Sequence, residues 1–322
     1  MKVYPLRFQP IFKERLWGGQ KLKTVLQKNI PYGAIGESWE LSDVEGDVSV
    51  IDNGFLKGKT LREALNTWGA ELLGSRNFKK FGYSFPLLIK FIDAQQDLSI
   101  QVHPDDALAQ KRHACNGKTE MWYVMQAAPD AKLIVGFNRE VSKELYQEKL
   151  SQNRLTDLMN YEHVQTGDTF FIKTGTIHAI GAGVLLAEIQ QTSDITYRVY
   201  DFDRKDAKGN TRELHTQEAL DAINFSGEKD FLVDYSRASD KPNTMVACPY
   251  FTTLYREIAS ETHIDLGQRD SFTIFLVVSG QVAFVFDGQH EKLQTGEVIL
   301  VPATVKNFYA KGDNAKVLEV FV

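Results

Sequence analysis

GDTFFIKTGTIHAI at residues 167–180 aligns without a gap on GEVILVPATVKNFY at residues 296–309. Each begins with glycine and an acid, runs through four strand-like residues, passes two turn residues and enters a second short run. A second pair occurs in the same order, TEMWYVMQA (119–127) on FTIFLVVSG (272–280). Repetition of two elements in one order points to two related β-barrels in a single chain. The same turn grammar is common among β-hairpins, so the alignment alone leaves coincidence open. In it His178 stands opposite Asn307 and Glu120 opposite Thr273, so only the first copy keeps groups suited to a metal.

Further short runs carry the same rhythm. FPLLIKFID (85–93), LSIQVH (98–103), AKLIVGF (131–137), VLLAEIQ (184–190), DITYRVYD (194–201), QVAFVFD (281–287) and AKVLEVFV (315–322) read as strands separated by glycine-rich turns. The fold class expected is mainly β, antiparallel, with a few helical insertions rather than alternating strand and helix. Helices are expected at 60–74, 141–160 (capped by Ser142) and 211–223, and a short one after Pro104. The polar stretch 227–243 is the candidate linker, dividing the chain into a catalytic barrel at 1–240 and a smaller barrel without metal ligands at 241–322.

Composition excludes several classes. The chain has 322 residues, 43% hydrophobic and 25% charged, which is ordinary for a globular protein. A formal charge of −5 without a basic stripe argues against nucleic acid as a partner. No segment is apolar for the roughly 18 residues a membrane span needs, and no signal peptide opens the sequence. Cys115 and Cys248 have no metal or redox spacing and read as reduced thiols, so a cytoplasmic protein is expected. A monomer or weak dimer is the separate expectation for its assembly.

Few residues are placed to do chemistry. In LSIQVHPDD (98–106), Gln101 and His103 share one face of an extended run, and Pro104 biases His103 to extended backbone. His178 likewise ends a strand-like run. Glu120 opens the apolar run MWYVM, where a carboxylate is costly to bury unless paired or metal-bound. Two histidines, a glutamate and a glutamine form a mixed nitrogen and oxygen set suited to zinc or another divalent ion. The spacing leaves a metal site and a structural hydrogen-bond cluster both open. Lys90, Lys118, Glu188 and Arg198, all on or beside strands, suit a phosphorylated polar ligand. His113 and His215 are expected in helices, and His163, His263 and His290 in polar connections, with solvated or capping roles.

The chain resembles the type I mannose-6-phosphate isomerases (phosphomannose isomerases) in their short bacterial form. The resemblance is carried by RLWGG (15–19), GESWELS (36–42), PLLIKFIDAQQDLSIQVHPDD (86–106), GKTEMWYV (117–124), GDTFFIKTGTIHAIGAG (167–183) and LLAEIQQTSDITYRVYDFDR (185–204). It implies a cupin fold of two jelly-roll barrels and one zinc ion held at Gln101, His103, Glu120 and His178. It further implies Arg198, Lys118 and Glu188 as catalytic residues and Trp17, Glu37 and Lys90 as substrate-binding ones, with Glu40 a rival to Glu37. The implied activity interconverts mannose 6-phosphate and fructose 6-phosphate through a cis-enediol. A non-catalytic phosphosugar-binding cupin and a non-haem iron cupin oxygenase are the competing readings.

Overall fold

The fold is built from alternation. In Glu120–Ala127, the side chains of Glu120, Trp122 and Val124 point to one face, and Met121, Tyr123 and Met125 to the other. Both faces are buried, because one lines a barrel and the other packs beneath it. The computed structural model describes residues 2–30, 33–206 and 208–322.

The first barrel closes a six-stranded sheet over a five-stranded one. The six-stranded sheet runs, in spatial order, Thr169–Ile172, Glu120–Ala127, Val184–Gln191, Leu87–Ala94, Ile11–Gly19, Ile35–Leu41. The five-stranded sheet runs Met159–His163, Lys132–Phe137, His178–Ile180, Ile100–Val102, Tyr197–Tyr200. A second pair of sheets follows from Asn243 onward. Its larger sheet contains Val298–Val301, Thr273–Ser279, Ala315–Phe321 and Thr252–Ile258 in the same spatial order as the first four strands above.

The repeat extends to register. Glu120 pairs with Ile172 as Thr273 pairs with Val301, and Glu188 pairs with Trp122 as Glu319 pairs with Phe275. The aligned segments are therefore equivalent in space and not only alike in turn grammar. At the equivalent of Glu188, Glu319 is fully buried and held by Arg256 and by Arg269 at 2.7 Å.

Several expected elements differ. The helix expected at 60–74 is two, Leu61–Trp68 and Ala70–Leu73, broken at Gly69, whose φ of +45° no right-handed helix accommodates. That expected at 141–160 is capped by Ser142 but ends at Ser151, followed by a 3₁₀ turn Leu155–Leu158. The third spans only Thr216–Ala222. His163, His263 and His290 lie in strands Met159–His163, Glu261–Asp265 and Gln289–Gln294, whose polar sequences mask the strand pattern. The stretch 227–243 is pinned along the Thr169–Ile172 edge: Phe171 N–H donates to Phe231 O at 3.0 Å, and Val233 N–H to Thr169 O at 2.8 Å. No helix among the described residues is long and apolar enough to cross a membrane.

Candidate metal centre and sugar cleft

Three strand ends bring the nitrogen and oxygen donors together at one end of the first barrel. His178 pairs directly with Gln101 across neighbouring strands, while Glu120 enters from the opposite sheet. His103, Glu120 and His178 each offer a donor atom within 4.8 Å of the others, and all three are buried. His103 Nδ1 lies 2.8 Å from Ile195 O and His178 Nδ1 2.8 Å from Thr176 O. A carbonyl only accepts, so both Nδ1 atoms carry the hydrogen and both Nε2 lone pairs face inward. They face Glu120, at 3.6 Å from Oε2 and 3.5 Å from Oε1. Gln101 Nε2 lies 3.2 Å from His178 Nε2.

The electrostatics agree with a cation site. Burial and the nearby Lys118 ammonium hold His103 well below its ordinary value; burial brings His178 down to about 4. Both rings are therefore neutral at physiological pH. Burial, aided by the charge of Glu188, raises the Glu120 carboxyl to about 7. Its Oε1 is buried without a hydrogen-bond partner. A carboxylate that turns one oxygen to each of two imidazole lone pairs, with the oxygen facing His178 left orphaned, is the donor set a divalent ion satisfies.

Beside this centre the charges alternate. Lys118 Nζ donates to Glu120 Oε2 at 2.7 Å and to His103 Nε2 at 3.0 Å, and lies 3.8 Å from Glu188 Oε1. Glu188 also accepts from Lys90 at 3.0 Å and from Trp122 Nε1 at 3.0 Å. Burial raises the Glu188 carboxyl, but Lys118 and Lys90 outweigh it and bring it down to about 2. Lys90 lies 5.1 Å from the Trp39 ring centroid, and Trp39 Nε1 donates to Glu37 at 2.7 Å.

These groups floor an open cleft of about 640 Å³ lined by Trp17, Glu37, Lys90, Gln101, Lys118, Glu188 and Arg198. Glu40 points away from it into an ion pair with Lys28 at 2.7 Å, which separates it from Glu37. The cleft is also lined by residues not singled out for it in the sequence: Arg15, Ser99, Arg212 and two histidines that keep the solvated or capping places expected of them, His113 exposed at the end of its helix and His215 at the N-cap of Thr216–Ala222. Arg15 donates to Glu37 at 2.7 Å, and Arg212 is bidentate to Asp201 at 2.7 and 2.5 Å. Arg198 donates to Glu213 O at 2.9 Å, but its Nε is buried and unpartnered. Burial and the neighbouring Arg212 and Arg15 charges together press on this guanidinium, an arrangement that an anion relieves.

A family profile for the type I phosphomannose isomerase catalytic domain matches residues 6–130, and one for the mannose-6-phosphate isomerase cupin domain matches residues 241–322. Mannose-6-phosphate isomerase ManA of Bacillus subtilis is 36% identical over 97% of each chain. The chain belongs to the type I phosphomannose isomerase family. A mannose-6-phosphate isomerase of Streptococcus mutans is 34% identical over 96% of each chain. The crystal structure of the mannose 6-phosphate isomerase from Bacillus subtilis superposes with a TM-score of 0.89, at 33% identity, over 99% of each chain. The two-barrel cupin architecture of this family is the one described above.

Proposed function

We propose that the chain interconverts mannose 6-phosphate and fructose 6-phosphate, with one zinc ion per chain held by Gln101, His103, Glu120 and His178. The observation that carries this reading is the cluster of His103, Glu120 and His178 lying behind Gln101 and Lys118, which line a cleft that also gathers Arg15, Arg198 and Arg212. One end of the cleft suits sugar hydroxyls and the other a phosphate dianion.

Aldose–ketose exchange moves a proton from C2 to C1 and accumulates negative charge on the enediol oxygens. A bound divalent ion supplies a Lewis acid for those oxygens. Lys118, locked between Glu120 and His103, is placed to donate to the same oxygens. Arg198 keeps an unpartnered donor for the substrate anion. Glu188 accepts from Lys90 at 3.0 Å and lies 3.8 Å from Lys118, which places it to orient both ammonium groups beside the reacting carbons. Trp17, Glu37 and Lys90 complete the cleft wall. Two unpaired cysteines suit a cytoplasmic location, and the chain is divided at 240/241 into a catalytic barrel and a barrel that lacks metal donors. At the positions aligned with Glu120 and His178 the second barrel has Thr273 and Asn307.

A coupled assay for fructose 6-phosphate, run before and after chelation and after zinc is restored, tests the reading. Turnover that disappears on chelation and returns with zinc is expected. No turnover by zinc-loaded protein refutes the isomerase; chelator-insensitive turnover refutes the metal's part in it.

A further inference from the structure

The three amides that lead into the Lys118–Glu120 pair are held by three different groups. Gly117 N–H donates to Asp106 Oδ1 at 2.8 Å, Lys118 N–H points at Pro104 O at 3.4 Å, and Thr119 N–H donates to Gln191 Oε1 at 2.9 Å. Gln191 in turn donates from Nε2 to the same Asp106 oxygen at 3.0 Å. Two of the three grips therefore end on one carboxylate. The fit is close: a Cβ on Gly117 would lie 2.7 Å from Asp106 N, so only glycine lets this segment rest on the start of helix Asp106–His113.

The two aspartates after Pro104 thus have separate tasks. Asp105 caps the helix by accepting from Leu108 N–H at 2.8 Å. Asp106 turns back toward the ligand-bearing loop. Its other oxygen accepts from Tyr250 Oη at 2.7 Å. Tyr250 lies between strands Asn243–Ala247 and Thr252–Ile258, in the second barrel, none of whose described residues lines the cleft.

We propose that Tyr250 and Asp106 are positioning residues for the isomerisation, and that through them the second barrel sets the geometry of a site it does not touch. Tyr250 selects the Asp106 rotamer. Asp106, with Gln191, fixes the amides on both sides of Lys118 and so the origin of its side chain and the entry of Glu120 into its strand. A group held in this way controls orientation at the reacting carbons, where small displacements are costly in rate. The inference rests on the reading of Lys118 and Glu120 as site residues given above.

The test uses the full zinc-loaded chain. Tyr250→Phe removes one hydroxyl and Asp106→Ala removes the whole grip. Each is expected to lower kcat by about tenfold with KM for mannose 6-phosphate nearly unchanged. The double variant should be no slower than Asp106→Ala, and Asp106→Asn, which keeps a carbonyl acceptor, should recover part of the loss. Arg7→Ala is the control. It breaks a 2.6 Å ion pair to Glu297 elsewhere between the N-terminal segment and the second barrel, so it should lower Tm and leave kcat alone. The visible spectrum of the cobalt-substituted protein gives a readout independent of turnover, and should change in Asp106→Ala but not in Arg7→Ala. Wild-type kcat in Tyr250→Phe and Asp106→Ala, additive losses in the double variant, or an unchanged cobalt spectrum would overturn the proposal. A wild-type chain that binds cobalt but leaves the phosphosugar untouched would instead defeat the isomerase reading.

Discussion

At the residue scale, the informative feature is a charged or polar side chain where an apolar one is expected. Lys90, Glu120 and Glu188 stand in apolar strands, and all three prove to be buried members of one charge array. Arg15, Arg212, His113 and His215 gave no comparable signal. Each lies in polar sequence where a solvated role is sufficient, and only closure of the barrel brings them to one mouth. The asymmetry between the repeats predicts a contrast. His178→Ala should abolish stoichiometric zinc binding by mass spectrometry or atomic absorption, whereas Asn307→Ala, at the aligned position, should retain metal and near-normal kcat. Equal losses would contradict the assignment of the metal to the first barrel. Glu188 makes a second prediction, this one dependent on pH. Unfolded, it titrates near 4.5; folded, at about 2. The unfolded chain therefore takes up a proton that the folded one refuses, and the stabilisation is full above about pH 4.5 and fades as pH falls towards 2. Removing the charge leaves Lys90 and Lys118 without their shared partner, a change worth roughly 3 kcal/mol. Glu188→Gln should accordingly lower Tm at neutral pH, by a deficit that shrinks on acidification. Scanning calorimetry at stepped pH reads it, and a deficit that grows in acid would contradict this account.

At the element scale, most strands could be read from their alternation, and those that could not have a physical reason to be silent. Ile35–Leu41 is buried along its whole length, with glutamates and a serine satisfied by ion pairs and hydrogen bonds, so no polar face marks it. Ile11–Gly19 pairs with it through register shifts at Lys13/Glu14 and Glu14/Gly19, which erase the period of two. Yet these two strands carry Arg15, Trp17 and Glu37 to the cleft. Their approach depends on glycine. A Cβ on Gly36 would lie 2.5 Å from the Trp17 ring and 2.7 Å from Arg15 Cβ. Gly36→Ala should force Trp17 and Arg15 outward, costing about 1–3 kcal/mol by overpacking and raising KM for the phosphosugar by about tenfold. Steady-state kinetics beside a thermal melt would check both parts. A stability loss with unchanged KM would mean that Trp17 and Arg15 do not contact substrate.

At the scale of the whole molecule, the repeat in sequence anticipated two barrels but not how they are joined. The outward faces of the two larger sheets share one apolar cluster. Ile89, Phe91, Met121 and Ile189 of the first meet Ile274, Leu276, Leu318 and Val320 of the second, with Leu65, Trp68 and Leu72 of the helical insertion. Nothing in a strand's own alternation distinguishes an outward face that meets water from one that meets another sheet. Here both faces were apolar, which is how strands read when covered on both sides. Leu6 bonds to Leu300 in both directions, at 2.8 and 2.9 Å, so the start of the chain also adds to the second barrel. Such an interface couples the two halves energetically: neither can unfold without exposing the shared cluster to water. The expected outcome is one calorimetric transition for the whole chain. Phe272, fully buried with its ring 4.7 Å from that of Phe85, is a test position at the seam. Phe272→Ala should cost about 3–5 kcal/mol and move that single transition down as a unit. Two resolved transitions, with only the smaller displaced by Phe272→Ala, would show that the barrels fold independently.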